Sequence, residues 1–385
     1  MKKMAIIGAG YLAKEIAIKA KQLNVYTICF AWDVNAIAKE CVDKFVDVSI
    51  FETEKILLIC KQEKINGVIA TTEITVPVCS YIAKELKLNS LDYEVSKIVT
   101  NKYINRIKAD SVKDLKQPKY FKFEELSYFE FERFGFPLIF KPLNLGGKRG
   151  VIVVKNSQQM KDSYNYVRKF TNDEILAEEY LDSGNEYSVE SLSFHGRHYI
   201  IQITKKITSG PPHCVELGHI QPADLSLELK GKIVKIINDL LNAIGIDNTA
   251  THTEIKIIDN DVYLIELNAR AGGDRISHPL IELSTGYSYL EGMIKIALDE
   301  FEKVNISNFL SNESGIRFVT EQTKELKPVF DVIDNYDWCY EKHIAYNPPN
   351  EIEVNCSDDV NYYIYCLTNK KDVEEYKRLL GKTYE

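Results

Sequence analysis

Nowhere does the 385-residue chain carry an apolar run long enough to span a bilayer, and its start, Met1-Lys2-Lys3-Met4, leads straight into the strand-like Ala5-Ile6-Ile7. That is too short for the apolar region of a signal peptide, so a cytoplasmic location is expected. Positive charge is in deficit: 48 Lys and Arg stand against 56 Asp and Glu, a formal charge of -8. Nothing in that balance attracts nucleic acid or an anionic membrane. The eight cysteines (Cys29, Cys41, Cys60, Cys79, Cys214, Cys339, Cys356, Cys366) form no C-x-x-C pair and no metal-finger spacing, which leaves them as reduced packing residues. The G-x-x-x-x-G-K-[ST] of a P-loop is missing too. Length exceeds one small core and predicts two or three domains.

What is present centres on Thr253 to Arg270. The runs 253–258 and 262–268 are both β-rich, and Asp259-Asn260-Asp261 between them is turn chemistry, so a hairpin is predicted. A three-residue loop pairs Ile258 with Val262, Lys256 with Leu264 and Glu254 with Glu266, and the period of two puts Asn268 on the face of Glu266. Like charges directly opposite destabilise a sheet unless a cation lies between them, and two carboxylates with an amide suit a hard cation such as Mg2+. Arg270 follows on the same face if the strand continues, ready to meet an anion. A solvated acidic edge is the bland alternative.

Residues 1 to about 95 alternate strand and helix patterns: strand 4–8, helix 12–23, strand 26–31, helix 50–62, strand 67–70, helix 76–86. This reads as a small parallel α/β unit. Gly8-Ala9-Gly10, Ala13 and then Asp33 mimic a dinucleotide fingerprint, although a tight strand-to-helix turn or a substrate-facing loop requires the same glycines. From Thr100 to Arg106 a basic helical stretch begins. A buried strand, 136–142, ends in Lys141-Pro142, followed by the loop Asn144 to Gly150 and a second strand, 151–154. Three glycines there let backbone amides bend over a polyphosphate, with Lys141 as a fixed charge beneath. A helix near 157–170 precedes the strand 174–181, a break at 182–185, and a second strand led by Glu186. The segment from Lys205 to Pro222 is too rich in Pro, Gly and polar groups for a core element and is expected to line or cover a site.

The order of these parts resembles the ATP-grasp superfamily over nearly the whole chain: Lys102, Lys141 with its glycine loop, the 178–181 connector, Glu186, then Glu254, Glu266, Asn268 and Arg270. Within it, Glu216-x-x-His219 and Glu266-x-Asn268-x-Arg270-x-Gly272-Gly273 are similar to carboxylate-amine ligases of the L-amino acid ligase type. One departure is Lys148-Arg149, where small residues are frequent. The resemblance implies an α/β and α+β fold: a Rossmann-like pre-ATP-grasp domain (1–95), a two-lobed ATP-grasp domain (96–300) and a small mixed C-terminal domain (301–385) acting as lid or flank.

It also implies roles. Lys102 and Lys141 would bind α- and β-phosphates, and the loop residues Gly146, Gly147, Lys148 and Gly150 would close over the β- and γ-phosphates. Glu178, Glu179, Tyr180 and Leu181 would form the adenine hinge, with Glu186 on ribose. Glu254, Glu266 and Asn268 would hold two Mg2+ ions, and Arg270 would hold an acyl-phosphate. Lys205, Glu216, His219 and Gly273 would orient substrate. The implied reaction is ATP-dependent joining of a carboxylate to an amine, with small-molecule partners and a homodimer left open. Two other readings stay open: an NAD(P)-linked oxidoreductase using Gly8-Ala9-Gly10, and a non-catalytic nucleotide sensor. Arg317 reads as an ordinary surface arginine.

Overall fold

The computed structural model describes residues 1–352 and 359–381. Cys356 lies outside the described residues; the other seven cysteines are free. The first sheet is parallel, in the order β3-β2-β1-β4, from β1 (Lys3–Ile7), β2 (Tyr26–Ala31), β3 (Lys44–Asp47) and β4 (Gly67–Ala70). Helices Tyr11–Gln22, Thr53–Glu63 and Val76–Leu86 complete the unit. β1 and β2 are near-continuous apolar runs because a parallel sheet is covered on both faces. The edge strand β3 was not expected from the sequence. At four half-exposed or exposed residues, it lacks the apolar run that marks its neighbours.

After the short β5 (Leu115–Lys116), a second four-stranded sheet forms the small lobe from β6 (Tyr120–Phe123), β7 (Leu138–Pro142), β8 (Ile152–Val154) and β9 (Ile175–Glu179), in the order β6-β9-β7-β8. Its pairs are antiparallel. Its inner face is aromatic: Phe123, Phe131 and Phe140 are buried together, with Phe123 and Phe131 edge to face at 4.8 Å.

The third sheet has nine strands, in the order β16-β17-β15-β12-β11-β10-β13-β14-β5. It is built from β10 (Asn185–Phe194), β11 (Arg197–Thr208), β12 (Glu216–Gln221), β13 (Thr249–Ile258), β14 (Asp261–Asn268), β15 (Glu313–Val319), β16 (Cys339–His343) and β17 (Asn361–Leu367), with β5 at the edge. Helix Leu227–Ile244 covers one face. Ile233, Ile236, Ile237, Leu240, Leu241 and Ile244 recur at helical spacing and are buried, Ser226 caps the N-terminus by accepting from Leu229 N, and Gly245 at φ +87° ends it.

Two expectations need correction. The segment 205–222 is not irregular: its ends are the central strands β11 and β12, and only 209–215 lies between them. Its polar residues face a cavity rather than a core, which is why composition misled. The hairpin loop has two residues, not three. Asp259 (φ +51°) and Asn260 (φ +67°) make the turn, so Ile258 pairs with Asp261, Ile257 with Val262, Lys256 with Tyr263 and Ile255 with Leu264. A bulge at Ile265 then restores the register, and Glu254 does stand opposite Glu266.

Candidate active site

A cavity of about 280 Å³ opens where the two lobes and the first sheet meet. Strand alternation supplies its walls. On β7, Leu138 and Phe140 enter the small-lobe core while Ile139 and Lys141 face the cavity. On β13, Ile255 and Ile257 join the large-lobe core while His252, Glu254 and Lys256 face the cavity. Helix Lys102–Ala109, capped by the Asn101 side chain on Tyr103 N and Ile104 N, presents Lys102 at its first position. One turn on, Arg106 lies on the same face.

The residues singled out from sequence converge here with two exceptions. Lys102, Lys141, Gly146, Gly147, Lys148, Glu178, Glu179, Tyr180, Leu181, Glu186, Glu216, His219, Glu254, Glu266, Asn268, Arg270 and Gly273 all line the cavity. Lys205 does not. It lies on the strand face of Ile203, which is in the core, and Lys206 takes the inward position. Gly150 is absent from the lining as well; at φ +73° it packs where a Cβ would come 2.9 Å from Pro142 Cγ, so it shapes the loop from behind. Glu216 and His219 are three residues apart, yet share the cavity because a bulge between β11 and β12 at Leu217 turns Glu216 inward.

Charge pairs fill the site. Glu178 is buried between Arg106, whose Nε donates at 2.7 Å, and Lys141. Burial would raise its carboxyl pKa, but these two cations lower it. Its side chain therefore fixes Lys141 rather than meeting a base. The remaining Arg106 nitrogens donate to Leu264 O and Ile265 O at the bulge. Lys206 Nζ lies 2.9 Å from Glu216 and 2.7 Å from Glu254. Burial would raise Glu254, and Lys206, Lys148 and His252 outweigh it and hold the carboxyl well below its usual range. His252 bridges Glu190 (2.6 Å) and Glu254 (3.2 Å). Burial opposes its charge, and the carboxylates overcome that to raise its pKa to about 9. Gly272 must be glycine-sized, since a Cβ there would approach His252 Nδ1 to 2.8 Å.

Lys102 Nζ is 2.9 Å from Glu266 and donates to Leu145 O at 2.7 Å. Lys256 donates to Leu181 O, with Glu186 at 3.7 Å. β14 ends at Asn268, and Arg270 beyond it is held by Glu73 of the first sheet's unit, with Nε donating at 3.0 Å. Burial opposes charge on Glu73, but Arg270 dominates and lowers it to about 2. His219 is fully buried, and neither ring nitrogen has a hydrogen-bond partner among the described residues. Burial and Lys206 keep it neutral.

Sequence reasoning missed Glu73, Arg106, Lys206, His252 and Lys256, and also Asp274, which lines the same cavity. Alternation from Glu254 could have found His252 and Lys256. Glu73 carried no local signal, because its partner is 197 residues away. The acids and amide proposed for metal, Glu254, Glu266 and Asn268, are an oxygen set that fits a hard cation. Among the described residues, no three His, Cys, Asp or Glu side chains form a metal-type cluster. The dinucleotide reading finds no support: Asp33 is paired with Lys39 at 2.6 Å, and a Cβ on Gly8 would meet Thr71 Oγ1 at 2.3 Å, so that glycine is demanded by packing.

Residues 134–278 match the model of the ATP-grasp domain. The alanine–anticapsin ligase of Bacillus subtilis (strain 168) is 29% identical over 196 residues, covering 45% of this chain and 41% of that protein. Its counterpart in Bacillus amyloliquefaciens is 26% identical over 247 residues, 57% of this chain and 51% of that one. The chain thus spans about half the length of these relatives or less. Among solved structures, the L-amino acid ligase of Bacillus licheniformis superposes with a TM-score of 0.78 at 22% identity, covering 100% of this chain and 98% of the other. The N5-carboxyaminoimidazole synthetase of Staphylococcus aureus, complexed with ADP, gives 0.78 at 14% identity, covering 100% and 97%. The match over residues 134–278 identifies that stretch as an ATP-grasp domain, and the chain is homologous to the alanine–anticapsin ligases.

Proposed function

We propose that the chain is an ATP-dependent carboxylate-amine ligase that activates a carboxylate as an acyl-phosphate and condenses it with an amine, an amino acid. The observation that carries the reading is the Glu254–Glu266 pair, standing opposite each other at the floor of a cavity that also holds Lys102, Lys141, Lys206 and Arg270. The lining has eight carboxylates against six Lys and Arg side chains. A polyphosphate enters such a site only with added cations, which fits nucleotide with Mg2+ on Glu254, Glu266 and Asn268; the ions polarise the phosphoryl oxygens when bound. In this reading 1–95, 96–300 and 301–385 are the pre-ATP-grasp, ATP-grasp and flanking units.

The residues divide the work. Lys141, held by Glu178, and Lys102 fix the α- and β-phosphates. Gly146 and Gly147 bring backbone amides over the phosphate chain, while Glu179, Tyr180 and Leu181 meet the adenine edge and Glu186 the ribose. Glu216, His219 and Gly273 face the substrate carboxylate, with Lys206 replacing Lys205 in that group. A substrate oxygen attacks the γ-phosphorus as the bond to ADP breaks; the amine nitrogen then attacks the acyl carbon and phosphate leaves with the C–O electron pair. Arg270 steadies the acyl-phosphate by charge-assisted hydrogen bonds.

The test is a screen of paired amino acids and small carboxylates for release of ADP and phosphate. Release is expected only with Mg2+, a carboxylate and an amine together. Glu254→Gln and Glu266→Gln should both fold and both lose Mg-dependent turnover. Full activity in either variant removes the proposal.

A further inference from the structure

Asp274 differs from the other acids of the cavity in what it meets. Six of the eight lining carboxylates lie within ion-pair distance of a lysine or arginine, and a seventh, that of Glu179, accepts from Lys119 N at 3.2 Å. Among the described residues the eighth, Asp274, has neither an ion pair nor a hydrogen-bond donor. The turn accounts for this. Asp274 (φ +46°) and Arg275 (φ +67°) are both left-handed, and their side chains part: Asp274 lines the cavity, while Arg275 lies over the Tyr11 ring at 3.3 Å and donates to the Tyr362 hydroxyl at 2.9 Å.

Burial and the nearby Glu216 raise the Asp274 pKa to about 6, because Lys206, Arg270 and Arg275, each engaged elsewhere, do not offset them. Two acids placed in this way fall in energy when a cation joins them. His219, three residues from Glu216, is an independent sign that this end receives a ligand. It is fully buried and lines the same cavity, and neither ring nitrogen has a hydrogen-bond partner among the described residues.

The reacting groups do not supply the cation. Mg2+ offsets the charge of the nucleotide, and the attacking amine must shed its own charge to expose a lone pair. A group that stays protonated beside Asp274 therefore belongs to a part of a substrate that takes no part in the reaction. Resting on the ligase reading, we infer that Asp274 is a specificity-determining residue that binds a side-chain cation, so that one of the two joined molecules is a basic amino acid. The ammonium or guanidinium donates a charge-assisted hydrogen bond to the carboxylate, and no covalent bond changes there. A neutral substrate of the same shape leaves the acid desolvated and unmet, which is how a polar pocket rejects an isostere.

ADP release from Mg·ATP by the wild-type chain tests this with lysine against norleucine and arginine against citrulline, each offered with a panel of amino acids as second substrate. At least one charged member should exceed its neutral counterpart in kcat/KM on the order of 10^2-fold. Asp274→Asn should remove that preference, and Asp274→Ser repeats the comparison should the first variant fail to fold. A rise in Tm with Mg·ATP shows that a variant is folded and holds nucleotide. Wholly neutral pairs used as well as any charged one, or a preference that survives in a folded variant, overturns the inference and leaves the ligase reading standing. Release with no pair at all overturns both.

Discussion

Arg270 shows how one side chain is prepared for an anion. Its guanidinium is fixed by Glu73 and by donation to Ala271 O at 2.7 Å, so its orientation is set before substrate arrives. Arg270→Ala should lower kcat on the order of 10^2-fold with little change in nucleotide affinity, and Arg270→Lys should not rescue fully, because a point charge cannot reproduce the planar fork. ADP-release kinetics beside calorimetry check this; ATP affinity falling in step with rate would assign the arginine to the nucleotide instead. His252 gives a pH signature. Its folded pKa of about 9 lies above the ordinary histidine value, so its contribution to stability is complete below about pH 6.5 and is lost as pH rises through 9. Between those limits the ligand-free protein should lose on the order of 3 kcal/mol that His252→Gln does not lose. An imidazole resonance titrating near pH 6.5 would contradict the assignment.

At the scale of elements, the hairpin was legible for a reason that was partly wrong. Period two and turn chemistry located both strands and the Glu254–Glu266 pair, yet the expected three-residue loop is a two-residue turn, offset by the bulge at Ile265. The two departures cancel at Glu254 and nowhere nearer the turn. Bulges are invisible to a pattern rule because they depend on what accepts or donates across the chain, here the Arg106 guanidinium on Leu264 O and Ile265 O. The bulge at Leu217 is likewise what lets Glu216 and His219 share a face. Lys205 was chosen over Lys206 because composition concealed β11, and with it the alternation that decides between neighbours. The turn itself is testable. Asn260 at φ +67° tolerates the left-handed region, so Asn260→Val should cost roughly 1–2 kcal/mol in denaturant unfolding. An unchanged midpoint would mean that the turn conformation is not what holds the hairpin.

For the whole molecule, the decisive feature is that the α/β unit and the two lobes close one cavity. The alternation of strand and helix made the α/β unit legible by itself, whereas the lobes came only from the resemblance, and the core is shared: Met4, Ile6 and Ile16 pack in one cluster with Leu192, Ile201 and Tyr289. That meeting could not be read in advance, because Glu73 touches Arg270, and a Cβ on Gly146 would come within 2.7 Å of the Glu73 carboxylate, through contacts with no local signature. β15 to β17 pair into the large sheet, another long-range outcome. A ligand in the cavity bridges all three units and stabilises their joint arrangement by mass action. Mg·ATP at about 100 times its Kd should add roughly 2.7 kcal/mol and raise Tm, whereas NAD and NADP should leave it unchanged, since Gly8 is spent on packing against Thr71 and Asp33 on Lys39. Lys141→Ala should abolish the ATP shift, because it removes the fixed cation and leaves Glu178 with Arg106 alone. Saturable NAD(P) stabilisation lost in Gly10→Val would instead place the ligand on the first sheet and return the glycine turn to a dinucleotide role.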